Sequence, residues 1–560
     1  MRMKASCLLR SACLIIVVVA IASCSSDSPA DIPDGDSDTE AVTEAEPDVV
    51  EEEIAPDGDM DEELPAELEA ELPTEAEVEV EPEAESEPEL SCDNPVIWYR
   101  DDDRDGFGLE NDTQEFCEDP GQGWSQIFGD CHDDNELAFP GSHAIEIPGD
   151  GVDMDCDGID ACRDLNCDGW PDIVFANTDH DGAYAIDSYV YLGGADGYRE
   201  DRRWNIPTVG GMGADSGDFN RDGYIDLVFA HVQNGESRDI TSYVYYGSAD
   251  GLLVENRIEL PTIGCADPTV ADVNADGWPD LIFNNRYAGS DEGSGMPNPN
   301  DYKINSYIYW GGESGFSIDN RLELPTVGAA RARVADLNKD GFNDIVFANG
   351  VMQLIGSESY IYWGSAAGWG EGNRSTFKSQ FPEGLEVADI NADGNLDILV
   401  TSWMCMLCEG TYIYWGDDSG SYSDDRRESL DGSVGATGAA VADLNADGFN
   451  DIVIPNGAVN AVTQEFAQES YIYWGNADGF AEDNRTVLPT SAASDCAIRD
   501  LDGDGRLDVV FSSHYPPSEG APEFSEIYWG DENGYSVMHR TQLPTQHAAG
   551  MTVVGSVYLP

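Results

Sequence analysis

Asp164, Asn166, Asp168 and Asp172 place side-chain oxygens at the first, third, fifth and ninth positions of the stretch DLNCDGWPD. Hard divalent cations take that chemistry. Calcium coordinates six to eight oxygens at about 2.3–2.6 Å, and a short loop can supply them from alternate positions. Gly169 permits the sharp bend around an ion, and Trp170 brings its backbone carbonyl at the seventh position. The pattern D-x-N-x-D-G-x-x-D returns six more times. Its further candidate ligands are Asp218, Asn220, Asp222 and Asp226, then Asp272, Asn274, Asp276 and Asp280, then Asp336, Asn338, Asp340 and Asp344. The last three copies offer Asp389, Asn391, Asp393 and Asp397, then Asp443, Asn445, Asp447 and Asp451, then Asp500, Asp502, Asp504 and Asp508. A polar Asp/Asn/Gly turn without metal accounts for the composition. It does not account for carboxylates held at the first, fifth and ninth positions of every copy, so calcium is the expected ligand. The second position is always apolar (Leu165, Phe219, Val273, Leu337, Ile390, Leu444, Leu501), which predicts that it points into a core.

Loops repeated in this way need an equally regular scaffold. The copies start 54, 54, 64, 53, 54 and 57 residues apart. Each loop is followed by an apolar run of the IVFAN or LVFAH type, then by a connection of variable length. Next comes a run reading SYVYLG, SYVYYG, SYIYWG, SYIYWG, TYIYWG, SYIYWG and SEIYWG in turn. A tight turn such as GSADG follows, then often an arginine and a Leu-Pro-Thr segment, as at Leu260, Leu324 and Leu488. A last apolar run such as ARVADLN leads into the next loop. Short β-branched and aromatic runs between Gly, Pro and Asn turns read as strands. Four strands per period describe one blade of a β-propeller, and seven periods predict seven blades. The final segment AAGMTVVGSVYLP has the character of the strand before each loop, yet no loop follows it. The first loop lacks such a strand, so the segment from Ala548 is expected to complete the first blade and remove two open edges.

The DxNxDGxxD loops and the YIYWG-turn-GF strands resemble FG-GAP or VCBS repeats, the unit of integrin alpha-chain propellers and of many bacterial surface proteins. The likeness covers about residues 164 to 560 and implies an all-β, seven-bladed calcium-binding propeller. The seventh copy departs slightly, with Asp502 in place of Asn and Glu526 in place of the first Tyr. No RGD sequence occurs and no inserted domain interrupts the repeats, so integrin-style adhesion through an inserted domain is not implied.

The formal charge of −85 excludes a nucleic-acid binder, which needs a basic face. The seven loops carry 22 carboxylates, whose mutual repulsion without metal would couple folding to ion binding. Arg2, Lys4 and Arg10 precede an apolar run from Leu14 to Ile21, too short to span a membrane. It ends at Cys24 and resembles a bacterial lipoprotein signal, which implies lipidation of Cys24 and removal of residues 1–23. Ser25, by resemblance to enteric lipoproteins, permits outer-membrane sorting. An ordinary secretory signal is the alternative. Residues 24–91 are expected to form a disordered tether: from 25 to 91 there are 28 Asp or Glu and no basic or aromatic residue. Its greatest reach is about 200 Å.

Residues 92–163 read as a small unit with Cys92, Cys117, Cys131, Cys156 and Cys162, and Cys167 lies just beyond. Disulfides are expected there, with pairing open; zinc is the alternative, although the spacings suit no common zinc module. Asp101, Asp103 and Asp105 form one acidic loop in it, and Asp153, Asp155 and Asp157 another. The segments resemble thrombospondin type 3-like metal-binding loops of exported proteins. The Asp130-Cys131-His132-Asp133 stretch reads equally as a turn with no ligand role.

Recognition is expected in the variable loops on the face opposite the calcium loops, the longest around Arg286 to Asn305. Asn177, His231, Asn285, Asn349, Ser402, Asn456 and Ser513 end the strands before those loops. They suggest either a polar ring at the channel mouth or, preferably, turn caps. His180, His231 and His514 would become neighbours in a closed ring; scattered surface histidines are the simpler reading. Cys405 and Cys408 suit a local disulfide, whereas Cys265 and Cys496 have no evident partner. No nucleophile elbow, HExxH or P-loop occurs. The expectation is a non-enzymatic, monomeric, lipid-anchored envelope protein at the outer membrane or cell surface that binds a glycan or protein. The alternatives are the propeller of a polysaccharide-acting enzyme and a purely structural surface protein.

Overall fold

The computed structural model describes residues 95–555 apart from 141, 143–151, 155, 157–160, 253, 290–297, 351–356, 380, 404–409, 418, 431–432, 434, 461–464, 467–468 and 517–520. The signal segment, the acidic stretch with Cys24, Cys92, Asp155, Asp157 and the Cys405–Cys408 segment lie outside the described residues.

Among the described residues, seven four-stranded antiparallel sheets carry the repeats. In the second sheet the order is Gly211–Gly217, Asp226–His231, Asp239–Tyr245 and Arg257–Ile263, from the innermost strand outwards. The innermost strands touch one another in succession, and Ala493–Arg499 of the seventh sheet meets Ala548–Val554 of the first. The ring is thereby closed. Ala548–Val554 pairs with Asp172–Asn177, so the last strand of the chain is the inner strand of the first sheet, as the sequence predicts.

The second strands, DIVFAN, DLVFAH and DLIFNN among them, are buried at every residue. Their apolar runs do not alternate because each lies between two neighbouring sheets as well as within its own. Clusters between sheets form the core. Val174 and Ala176 of the first sheet pack with Leu227, Phe229 and Tyr245 of the second, and Leu165 from the acidic loop joins them. The second-position residues Phe219, Val273, Leu337, Ile390 and Leu501 are buried likewise, and Leu444 is half-buried against its own cluster. Phe175 meets Tyr191 edge-on at 6.0 Å, Phe229 meets Tyr245 at 6.0 Å and Phe283 meets Tyr309 at 5.7 Å. Each such pair contributes about 1 kcal/mol beyond its buried area.

The first tyrosine of each YxY pair carries an arginine from the outer strand over its ring. Arg203 lies 3.8 Å from the Tyr189 centroid, Arg257 4.2 Å from Tyr243 and Arg321 3.9 Å from Tyr307. The second tyrosine reaches the preceding sheet. Tyr309 Oη donates to the Pro261 carbonyl at 2.8 Å and Tyr362 Oη to that of Pro325 at 2.5 Å. These rings therefore pack within and between blades.

Before the ring lies a three-stranded sheet of Val96–Arg100, Leu109–Phe116 and Trp124–Ser125, which the cysteine spacing did not foretell. Disulfides join Cys131 to Cys156 and Cys162 to Cys167, and Cys117 is also disulfide-bonded. Cys162 N donates to the Gly223 carbonyl at 2.8 Å, fixing this unit to the second acidic loop.

Candidate metal loops and the channel mouth

In each acidic loop the first aspartate organises the turn by accepting backbone amides. Asp164 Oδ1 accepts Asp168 N at 3.0 Å, and Asp164 Oδ2 accepts Gly169 N at 2.8 Å. The bond from the loop glycine recurs at Asp218, Asp272, Asp336, Asp389, Asp443 and Asp500. The third and fifth positions face each other: Asn166 Nδ2 lies 3.0 Å from Asp168 Oδ2. In the seventh loop, ligand oxygens of Asp500, Asp502 and Asp504 lie within 4.8 Å of one another. This donor set is all oxygen and suits a hard dication. The backbone adds a further sign of constraint. The fourth residue takes a left-handed conformation, at φ near +55 to +59° in Cys167, Arg221, Ala275, Lys339, Ala392 and Ala446. Only Gly503 adopts it without a Cβ, at φ +71°.

The ninth residue has a second office that spacing could not show. Asp226 is fully buried; its Oδ2 accepts Phe219 N at 2.8 Å and its Oδ1 accepts Gly247 N at 2.7 Å. The same two bonds recur at Asp172, Asp280, Asp344, Asp397, Asp451 and Asp508. This carboxylate ties the acidic loop to the turn after the YxY strand, so both lie on one face. Burial pushes Asp172 up to about 7 and Asp226 to about 8. A cation beside them would favour their charged form.

The opposite face holds the mouth of the central channel. A cavity of about 190 Å³ is lined there by Arg286, Arg331, Glu383, Trp403, His514 and Tyr515, among others. The inner strands reach it through repeated β-bulges, for example between Ala329 and Arg331, Pro382 and Gly384, and Ala493 and Asp495. A bulge re-aims the side chains beside it. Arg286 Nη1 donates to Glu383 Oε2 at 2.7 Å, from the third sheet to the fifth. Arg331 and Asp495 pair at 2.6 Å from the fourth sheet to the seventh, and Arg333 and Glu386 at 3.1 Å. The first two pairs join non-adjacent sheets across the bore, whereas Arg333 and Glu386 join neighbours. Gly213 sits so close that a Cβ there would lie 2.2 Å from Asp267 Oδ1.

The FG-GAP-like repeat family matches residues 164–229, 218–283, 336–400 and 389–454. The chain carries FG-GAP-like repeats. Such repeats point to a propeller-type binding or adhesion domain. Mouse phosphatidylinositol-glycan-specific phospholipase D is 29% identical over 149 residues, covering 23% of this chain and 18% of the enzyme. The chain thus spans under a fifth of that relative's length. Among solved structures, a protein named as a 6-phosphogluconolactonase from Bacteroides fragilis aligns with a TM-score of 0.41 at 10% identity, over 69% of this chain and 98% of its own. A like-named protein from Bacteroides uniformis gives 0.43 at 10% identity, over 69% and 100%. The V. cholerae biofilm matrix protein Bap1 gives 0.27 at 21% identity, over 50% and 39%.

Within the FG-GAP repeats, the residues that end the second strands do not form a ring at the mouth. Asn177, His231, Asn285, Asn349, Ser402, Asn456 and Ser513 are all buried. Asn177 Nδ2 donates to the Asp187 carbonyl at 2.8 Å and Asn285 Nδ2 to that of Asn305 at 2.8 Å. Asn285 Oδ1 also accepts Ile263 N, the end of the preceding sheet, at 2.9 Å. Asn177, Asn285, Asn349 and Asn456 thus clasp the next strand through their side-chain amides, and the first three also accept a backbone amide from beyond their own sheet's inner strands. Ser402 Oγ and Asn456 Oδ1, by contrast, have no hydrogen-bond partner among the described residues. His231 takes the same place, with Nδ1 2.8 Å from the Thr241 carbonyl, and burial lowers it to about 4. His180 is half-exposed, and among the described residues no metal-holding group contains His180, His231 or His514. His514 instead approaches His547 at 6.0 Å between ring centroids, with Tyr515 stacked on His514 at 4.3 Å. His547 binds Asp179 at 3.1 Å and Glu523 at 3.2 Å, joining the first repeat to the last. Sequence reading missed His547, Trp403 and the channel arginines because each occurs once, outside the repeat pattern. Cys265 and Cys496 are buried free thiols.

Proposed function

We propose that this protein is a calcium-stabilised propeller that binds a glycan or protein partner at the channel mouth and performs no catalysis itself. Lipidation at Cys24 and a long acidic tether would hold it on a bacterial envelope. The observation that carries the binding reading is the mouth cavity: Trp403 and Tyr515 offer apolar faces beside the charged pair Arg286 and Glu383, on a rigid ring. Cavities that combine aromatic walls with a few convergent polar groups are where ligands bind. The calcium reading rests on the converging oxygens of the first, third and fifth loop positions.

Within this reading the loop ions fasten one face and the variable loops of the other face select the partner. Bound cations offset the repulsion among loop carboxylates, which tightens the ring. The test uses the Cys24→Ser chain, which cannot be acylated. Its bound calcium is counted, its melting followed with and without EGTA, and its binding screened on a glycan array and against envelope proteins. Stoichiometric calcium, a lower melting temperature in EGTA and ligand capture lost in Trp403→Ala support the proposal. Absence of stoichiometric calcium with identical melting in chelator would sink the calcium part. Turnover of any tested polymer would overturn the non-enzymatic part.

A further inference from the structure

We propose that Asp101, Asp103, Asp105, Asp130 and Asp133 together form one further calcium site in the unit preceding the ring. Two loops of that unit meet here. Ligand oxygens of Asp101, Asp103 and Asp105 lie within 4.8 Å of one another, and so do those of Asp103, Asp130 and Asp133. Asp103 therefore belongs to both triads and links them into a single constellation. The Asp130–Asp133 turn, whose ligand role the sequence leaves open, becomes half of the site.

The bonding of the individual oxygens argues for an ion. One oxygen of each carboxylate is oriented by a backbone amide. Asp101 Oδ1 accepts Arg104 N at 2.7 Å, Asp105 Oδ1 accepts Phe107 N at 2.7 Å, and Asp130 Oδ1 accepts His132 N at 2.8 Å. Asp103 Oδ1 accepts Asp105 N at 3.2 Å, and Asp133 Oδ1 accepts Asp102 N at 2.7 Å, which binds one loop to the other. The second oxygens of Asp103, Asp105 and Asp130 are buried and have no hydrogen-bond partner. Asp130 is itself only 6% exposed, as is Asp101. Among the described residues, no lysine or arginine pairs with any of the five. Buried carboxylate oxygens with neither hydrogen bond nor counter-charge are costly unless a cation fills the gap.

The surroundings hold the two loops in place and narrow the choice of cation. Cys131, next to Asp130, is fixed by its disulfide to Cys156, and Phe107 stacks on Phe139 at 5.5 Å. The cysteines near Asp130 are oxidised, so no thiolate is available and the donors are all oxygen. Five carboxylates exceed what magnesium normally accepts from protein and match calcium's larger shell. This inference extends the calcium reading of the propeller loops but rests on separate residues.

The test is an ion count by equilibrium dialysis with calcium alone on the full chain. The parent is compared with Asp130→Asn/Asp133→Asn and with Asp112→Asn, a change on the exposed neighbouring strand. The expected result is one fewer calcium in the double variant and an unchanged count in Asp112→Asn. Melting in saturating calcium shows whether the ring remains folded. Asp103→Asn, which removes the carboxylate shared by both triads, should give the same loss of one ion. An unchanged count in both acidic-site variants would overturn the proposal. If the propeller loops bind nothing, the parent retains one ion and the double variant none, so the two readings fail separately.

Discussion

Tyr191 Oη donates a 2.6 Å hydrogen bond to the carbonyl of Pro544, 353 residues further along the chain. It is the same bond that Tyr309 makes to Pro261 and Tyr362 to Pro325 in the body of the ring. The first and last sheets are thus joined by the contact that joins any two neighbours, in addition to the shared strand Ala548–Val554. Closure is built from the ordinary inter-sheet device and needs no special seal.

Removal of residues from Ala548 onward should therefore abolish the single cooperative transition. The truncation bares the edge of Asp172–Asn177 and deletes Met551 and Val553 from a shared cluster. Calorimetry and light scattering are the measurements, and a retained single-transition melt would contradict closure. Tyr191→Phe is the mild counterpart, expected to cost about 1 kcal/mol through the lost bond to Pro544.

The ninth loop position should matter even without metal. Asp226→Asn replaces an acceptor oxygen with an NH2 group facing a buried amide, so one of two buried bonds is lost. A loss of about 2–3 kcal/mol is expected in EGTA as well as in calcium. Asn220→Ala, at the exposed third position, should weaken calcium binding and leave the melt in EGTA nearly unchanged. Equal behaviour of the two variants in chelator would refute the division of labour.

His547 gives the seam between first and last repeats a pH signature. Burial opposes its charge, but hydrogen bonds to Asp179 and Glu523 outweigh that and raise it to about 9. A histidine raised in the folded state contributes stability that is complete below its unfolded value near 6.5 and fades as pH climbs through about 9. His547→Gln should lose on the order of 1–3 kcal/mol at pH 6 and much less at pH 9.5. The check is a set of chemical denaturation curves across that range; a difference that does not vary with pH would count against the paired charge.

The stacked arginines should resist conservative exchange. Arg321 lies over Tyr307 and donates to Tyr309 Oη at 2.9 Å and to Glu323. Lysine cannot stack and fork at once. Arg321→Lys is expected to cost about 1 kcal/mol in thermal melts, and Arg321→Ala about twice that.

The periodic part of this molecule was open to sequence reading because each blade repeats the same physical demand. A buried second position such as Phe219, an aromatic pair such as Tyr307 and Tyr309, and a turn glycine such as Gly277 recur at fixed offsets. What lay hidden was whatever depends on partners outside the period. Asn285 looks like any turn asparagine until its amide is seen to bind Asn305 in the next strand. Arg331 and Asp495 sit 164 positions apart and meet only because the ring brings opposite walls together. For Asp130 and Asp133 the sequence leaves a metal-binding loop and a plain turn equally open, since the acidic loop they face lies earlier in the chain and on another element.

The paired charges that span the bore have a bearing on how any long molecule meets this protein. Arg331 with Asp495 and Arg286 with Glu383 act as crossbars between non-adjacent sheets, at the cavity that Arg286, Arg331 and Glu383 line. If the proposed partner is a polysaccharide bound at the mouth, these crossbars favour capture of a free terminus or a side branch over threading. Affinity should then scale with the number of chain ends in a sample and stay indifferent to chain length.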